Sequence, residues 1–173
     1  MKKHVKARVL AFLKPLIRNE IVSILDDLDR AKEKSYRKKY QLPESFGFGR
    51  IRDIYFMGNN IIIGEYSYFN SGIIQSGRSS KVQIGEWCAI GYNVNILAAT
   101  HDPQKATGPR SERKIIEKDI VIGDRCWIGS NVFIREGVRI GDDVVVGANS
   151  VVTKDIPDQS IAAGVPAKVI RKK

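Results

Sequence analysis

Ile122-Gly-Asp-Arg-Cys-Trp127-Ile128-Gly-Ser-Asn-Val-Phe133-Ile134-Arg-Glu-Gly-Val-Arg139-Ile140-Gly-Asp-Asp-Val-Val-Val146-Gly-Ala-Asn-Ser-Val-Val152 returns an aliphatic residue at every sixth position. Glycine follows four of these aliphatics, at Gly123, Gly129, Gly141 and Gly147. Four positions after each aliphatic stands a second small or branched residue: Cys126, Val132, Val138, Val144, Ser150, Ile156. Helices repeat near 3.6 residues and strands near 2. A period of six fits a short strand plus a turn, used again and again as one side of a coil. Three such hexads close one triangular coil of about 18 residues, whose aliphatic edge is buried only against its stacked neighbours.

The same phase extends upstream. Ile51, Met57, Ile63 and Phe69 keep it, it slips over the Gly/Ser-rich stretch Ser76–Lys81, and it resumes at Ile84, Ile90 and Ile96. It breaks again after His101 and is expected to restart at Ile116. The count gives a mainly β chain of about five coils. The second break, 102–115, is a polar excursion containing Pro103, Gly108 and Pro109. A non-periodic loop of that length inside a compact repeat is usually functional or disordered.

Residues from about 4 to 40 read as an N-terminal helix, with apolar positions Val5, Val9, Phe12, Leu13, Leu16, Ile17, Ile21, Ile24, Leu25 and Leu28 at helical spacing. Pro15 predicts a start, break or kink. Pro43 and Gly47–Gly49 mark the boundary. The expected organisation is a helical segment 1–45, a coil domain 50–160 carrying the loop 102–115, and a basic tail 161–173.

The formal net charge of +10 suggests nucleic acid until its distribution is read. Residues 1–40 hold twelve Lys/Arg and five Asp/Glu, leaving the other 133 residues a net +3. The excess describes one helix, and no recognition motif accompanies it, so nucleic-acid binding is not expected. Such a helix packs on the body or on a neighbouring subunit, or lies on an anionic membrane surface as a peripheral contact of residues 1–40. No stretch is long and apolar enough to span a bilayer. The apolar run Val9–Leu13, stopped by Lys14 and Pro15, is short for a signal-peptide core, so a cytoplasmic protein is expected, at most peripheral at the inner membrane surface. Cys88 and Cys126 share one hexad position and read as core filler. His4 and His101 are the two histidines, which excludes a three-histidine metal site within one chain; no metal is expected.

Three stretches resemble the hexapeptide-repeat acyltransferases, and more narrowly the maltose, galactoside and surface-polysaccharide O-acetyltransferases. They are Asn95–Pro103, which ends in His101-Asp102-Pro103; Ile122–Val132, with Trp127 and Ser130; and Gly147–Pro157 with its sequel Ala162–Arg171. Together they lie within residues 50–171. The resemblance implies a left-handed parallel β-helix, an exception to the usual right-handed crossover. It also implies a homotrimer with sites in the clefts between subunits, and acetyl-CoA as the acyl donor. On that likeness His101 is the general base, for which imidazole is suited by its pKa. Ser130 is the oxyanion or donor-positioning residue. Trp127, Ser130, Ala148, Thr153, Lys154, Lys168 and Arg171 are the donor-binding candidates, the cations suited to phosphate oxygens. Tyr68, Asn70 and the loop residue Arg110 are the acceptor candidates. Asp102 adjoins His101 in sequence, but neighbours on an extended chain point apart, so it is not expected to orient the ring.

The reading that follows is an acetyl-CoA-dependent O-acetyltransferase acting on a sugar hydroxyl, in surface-glycan assembly or on another sugar acceptor. Transfer to an amino sugar or an antibiotic on the same fold, and a non-catalytic β-helix scaffold, remain the alternatives.

Overall fold

The computed structural model describes residues 2–173 apart from 106 and 108; the side chains of residues 2–13, 15, 16 and 110 lie outside the described set. A helix over Lys2–Tyr40 precedes a parallel β-solenoid of about five turns with three faces. Face I stacks 47–48, 68–69, 89–90, 127–128, 145–146 and 160–164. Face II stacks 54–57, 72–75, 94–97, 133–134 and 151–152. Face III stacks 61–63, 82–84, 120–122 and 139–140. The chain visits the faces in the order I, II, III and then begins the next coil. Residues 161–173 are strand for most of their length: Ser160–Gly164 continues face I and Ala167–Lys172 folds back antiparallel on it.

The sixfold aliphatics form three inner columns. Register pairs Ile122 with Ile140, Ile128 with Val146 and Ile134 with Val152, each 18 residues apart. All six side chains are buried. Above the excursion the same columns pair Ile84 with Ile122, Ile90 with Ile128 and Ile96 with Ile134, each 38 residues apart. Insertion of the excursion therefore leaves the coil register untouched.

Two corners are built alike in coil after coil. Between faces I and II, Asn93, Asn131 and Asn149 take φ of 52°, 58° and 59°. Asn tolerates this left-handed region better than most residues. Their side chains form a ladder: Asn93 Nδ2 donates to Asn131 Oδ1 at 3.0 Å, and Asn131 Nδ2 to Asn149 Oδ1 at 3.1 Å. Gly129 opens the turn at the middle rung, where a Cβ would stand 2.6 Å from the amide nitrogen of Ala148 in the next coil. Between faces III and I the ladder is of carboxylates. Asp124, Asp142 and Asp158 accept from the backbone amides of Glu86, Asp124 and Asp142 at 2.9–3.0 Å. The third corner, between faces II and III, has no common turn. Both breaks in the sequence period, Ser76–Lys81 and the excursion after Ala98, fall there.

Two expected inward positions are corrected. Met57 is 49% exposed, because Ile54 and Phe56 already fill the interior of that strand and alternation turns Met57 outward. Ile116 is not the restart of the coil. Ile115–Glu117 pairs antiparallel with Ala99–His101, and the coil resumes at Ile120.

The helix runs through Pro15 without the predicted break. Its last three turns close the open end of the solenoid. The Tyr36 hydroxyl accepts from Phe56 N at 3.2 Å and reaches Ile54 O at 3.4 Å; the Tyr40 hydroxyl donates to Phe56 O and Gly58 O. These bonds occupy the free edge of the first face II strand, which would otherwise invite strand addition. The Tyr36 ring stacks on Phe56 at 4.9 Å, and Tyr40 meets it edge-on at 5.5 Å.

Asn131 lies at the centre of one ladder, so Asn131→Ala loses two side-chain bonds and retains a left-handed backbone. A loss of about 1–3 kcal/mol is expected. Denaturant unfolding checks this, with Asn131→Gly, which relieves the backbone strain, less affected than the alanine variant.

Candidate active site

The third corner carries His101. Ala98 ends the inward run of face II, and the chain then leaves the coil as the two-stranded ribbon Ala99–His101 with Ile115–Glu117. His101 pairs with Ile115 at the ribbon's outer end, and its side chain is exposed. Beside it lies a recess of about 250 Å³ lined by Gln75, Ala99, Thr100, His101 and Ile115. A larger hollow of about 390 Å³ shares Gln75, Ala99 and Ile115 with it and extends over Ser76–Arg78 to Glu117. Asp102 does not hold the imidazole. Its carboxylate accepts from Gln104 N at 3.0 Å and its amide donates to Lys114 O, so it shapes the loop. Among the described residues the His101 ring has no hydrogen-bond partner in its own chain.

Glu117 fixes the base of the ribbon. One carboxylate oxygen accepts from both the amide and the hydroxyl of Ser79 at 2.6 Å. The Ser79 hydroxyl, with the amides of Ser79 and Arg78, lowers the Glu117 pKa to about 2. The two breaks in the period are thus joined to each other, across 38 residues of sequence. No periodicity argument could have paired them. Gln75 is likewise missed by sequence reading, since it is an outward residue of an ordinary strand.

The other expected site residues stand elsewhere on the prism. Tyr68, Ala89, Trp127, Val145 and Ile161 form one outward row on face I, each in register with the next, and Ile161 pairs in turn with Arg171. Tyr68 is 44% and Trp127 59% exposed. From Trp127 to Arg171 is three strand spacings, about 14 Å. Lys168 pairs with Ala163 in the same closing hairpin. Asn70, Ser130 and Ala148 belong to the neighbouring corner between faces I and II. There Ser130 Oγ accepts from Tyr92 N at 3.1 Å, and its carbonyl accepts from Asn149 N. Thr153 and Lys154 are on the third corner, two coils beyond the His101 ribbon. Arg110 begins a short 3₁₀ turn in the loop, and its side chain is outside the described set.

One chain therefore divides the expected residues in two. His101, Thr153 and Lys154 share one corner; Tyr68, Asn70, Trp127, Ser130, Ala148 and Arg171 share face I and the corner beyond it. Face II separates the groups. The row on face I runs from an exposed indole over two aliphatics to cations, which suits a long apolar arm ending in phosphates.

Neither cysteine offers a nucleophile. Both are 1% exposed, and their thiols donate to Gly123 O and Gly141 O. Contact with Cys88, together with burial, holds the Cys126 thiol far above its ordinary range.

The "Bacterial transferase hexapeptide (six repeats)" model matches residues 119–154. The galactoside O-acetyltransferase of Escherichia coli K12 is 42% identical over 122 residues, covering 69% of this chain and 58% of that protein. The maltose O-acetyltransferase structure from Clostridium difficile 630 is 30% identical, with a TM-score of 0.57, covering 86% of this chain and 88% of that one. A hexapeptide-repeat acetyltransferase of Vibrio cholerae, crystallised with acetyl coenzyme A, is 28% identical with a TM-score of 0.66, covering 84% and 78%. The chain belongs to the hexapeptide-repeat acetyltransferase family. It spans about three fifths of the length of the Escherichia coli galactoside enzyme.

The lowered pKa of Glu117 has a defined pH signature. The carboxylate's contribution to the ribbon base is complete above about 4.5, its ordinary value, and fades as pH falls through about 2. The Ser79 amide resonance should titrate with a midpoint near 2, and Glu117→Gln should abolish that titration.

Proposed function

We propose that the protein is an acetyl-CoA-dependent O-acetyltransferase of a sugar hydroxyl, working as a homotrimer with each site assembled from two chains. The observation that carries this reading is the separation of His101 from the face I row by a whole face of the prism. A second copy that sets its His101 corner against this chain's face I corner would reunite the two groups. Closed rings of identical subunits form through such head-to-tail contacts.

In this reading the imidazole of His101 removes the proton of the acceptor hydroxyl, and the oxygen adds to the thioester carbon. Ser130 stabilises the charge that develops on the carbonyl oxygen. The carbon–sulfur bond then breaks, and His101 returns the proton to the departing thiolate. Trp127, with Val145 and Ile161 beyond it, lies along the pantetheine arm; Lys168 and Arg171 meet its phosphates. Thr153 and Lys154 complete the donor wall from the histidine's side. Tyr68, Asn70 and Arg110 face the sugar. Support comes from the recess beside His101, from the buried, inert thiols that leave direct transfer as the route, and from the galactoside and maltose O-acetyltransferases among the relatives.

His101→Ala should lose at least 100-fold in turnover while coenzyme A binding, followed by calorimetry, changes little; loss of donor binding would contradict the assignment. His101→Ala and Trp127→Ala are each expected to be impaired alone. Co-assembled one to one, they should restore intact sites at about one in four, since His101 and Trp127 of one site come from different copies. Steady-state assays of the mixed oligomer check this, and no recovery would place both residues of a site in one chain.

A further inference from the structure

Every residue from Ile17 to Leu28 is exposed, although half of them are large and apolar: Ile17, Ile21, Val22, Ile24, Leu25 and Leu28. The contacts of the helix with its own body begin at Asp29, which binds Arg52 at 2.7 Å, and continue through Lys32, Tyr36, Arg37 and Tyr40. At 100° per residue, Ile17, Ile21, Ile24 and Leu28 lie about a third of a turn from that docking stripe. The body that holds the end of the helix cannot cover this row. Ile17, Ile21, Val22 and Ile24 are β-branched, with weak intrinsic helix propensity, and helices draw most of their stability from packing an apolar face. The row needs a cover from outside the chain.

Three observations identify the cover as a second copy. The spacing 17, 21, 24, 28 alternates four and three, the seam by which like helices pack on one another. The charge around it opposes an anionic bilayer: between residues 17 and 28 Arg18 stands against Glu20, Asp26 and Asp27. Two of the basic residues further along are already engaged, Lys32 with Arg52 O and the Tyr55 ring, Arg37 with Glu33, Pro43 O and Phe46 O. Third, the helix runs in the direction of the strand Ile54–Met57, with Asp29 beside Arg52 and Tyr40 beside Gly58. Its upstream half therefore extends past the corner between faces I and II, by about 18 Å for residues 17–28. That is the corner where the proposed inter-chain site requires a neighbour.

We propose that the N-terminal helices of neighbouring copies pack on one another through Ile17, Ile21, Ile24 and Leu28, tying together the chains that share each site. This rests on the inter-chain reading of the site. The test uses the full chain carrying one added surface cysteine, Ile24→Cys or Leu28→Cys in the seam and Asn19→Cys on the polar side; Cys88 and Cys126 are buried and do not compete. With a short bis-maleimide, both seam variants should give covalent dimers at least tenfold faster than Asn19→Cys. Equal, slow linking in all three, in protein that is still trimeric and active, would overturn the helix contact and leave the inter-chain site standing. Flotation with phosphatidylglycerol vesicles gives the second arm. The wild-type chain should stay unbound, and binding that Ile21→Glu and Ile24→Glu abolish would assign the row to a membrane instead.

Discussion

Every other feature of the molecule depends on each coil repeating the turns of the one before it. Strands of two to four residues cannot stand alone, and their inward aliphatics are buried only if the next coil arrives in register. Two corners enforce that register with backbone in the left-handed region and with side chains that bond to the next rung. At one corner Asn93, Asn131 and Asn149 supply both; at the other Trp87, Arg125, Asp143 and Gln159 take the left-handed backbone, and Asp124, Asp142 and Asp158 make the bonds. A ladder bond of this kind contributes about 0.5–1.5 kcal/mol, and its directionality excludes a slipped pairing. The third corner carries no such ladder. It is where the chain can leave and return without disturbing the columns, and it is where His101 is found.

On the proposed reading, the same geometry explains why one chain does not complete the candidate site. A prism with three faces turns its corners away from each other, so residues on separate corners meet only across a boundary between molecules. The outward row of face I and the histidine ribbon are each well formed alone. The row is fixed by strand register, and the ribbon by the Glu117–Ser79 clamp. On the inter-chain reading, assembly places these two rigid surfaces against one another, with the helix overhang on the neighbour's side.

The columns were legible in the sequence because they obey a local rule, an aliphatic every six residues, often followed by Gly; the Asn and Asp ladders of the corners became visible only in the structure. That rule placed Ile122, Ile128, Ile134, Ile140, Val146 and Val152 in the core, and it located both breaks. It failed at Met57 and Ile116, where an aliphatic fell in phase by coincidence while strand alternation or ribbon pairing decided its direction. Contacts that join distant breaks, such as Glu117 with Ser79, leave no periodic trace. Nor does period say which corner a residue occupies once insertions have accumulated. His101 and Trp127 look alike as neighbours of the repeat, yet they stand on opposite sides of face II.

On the proposed reading one catalytic unit spans two chains, and a crystal structure with coenzyme A bound decides it. The pantetheine arm should lie between the Trp127–Ile161 row of one protomer and His101 of its neighbour, with Lys168 or Arg171 at the phosphates. Coenzyme A held against Trp127 and His101 of the same chain, or bound to a monomer, would contradict it.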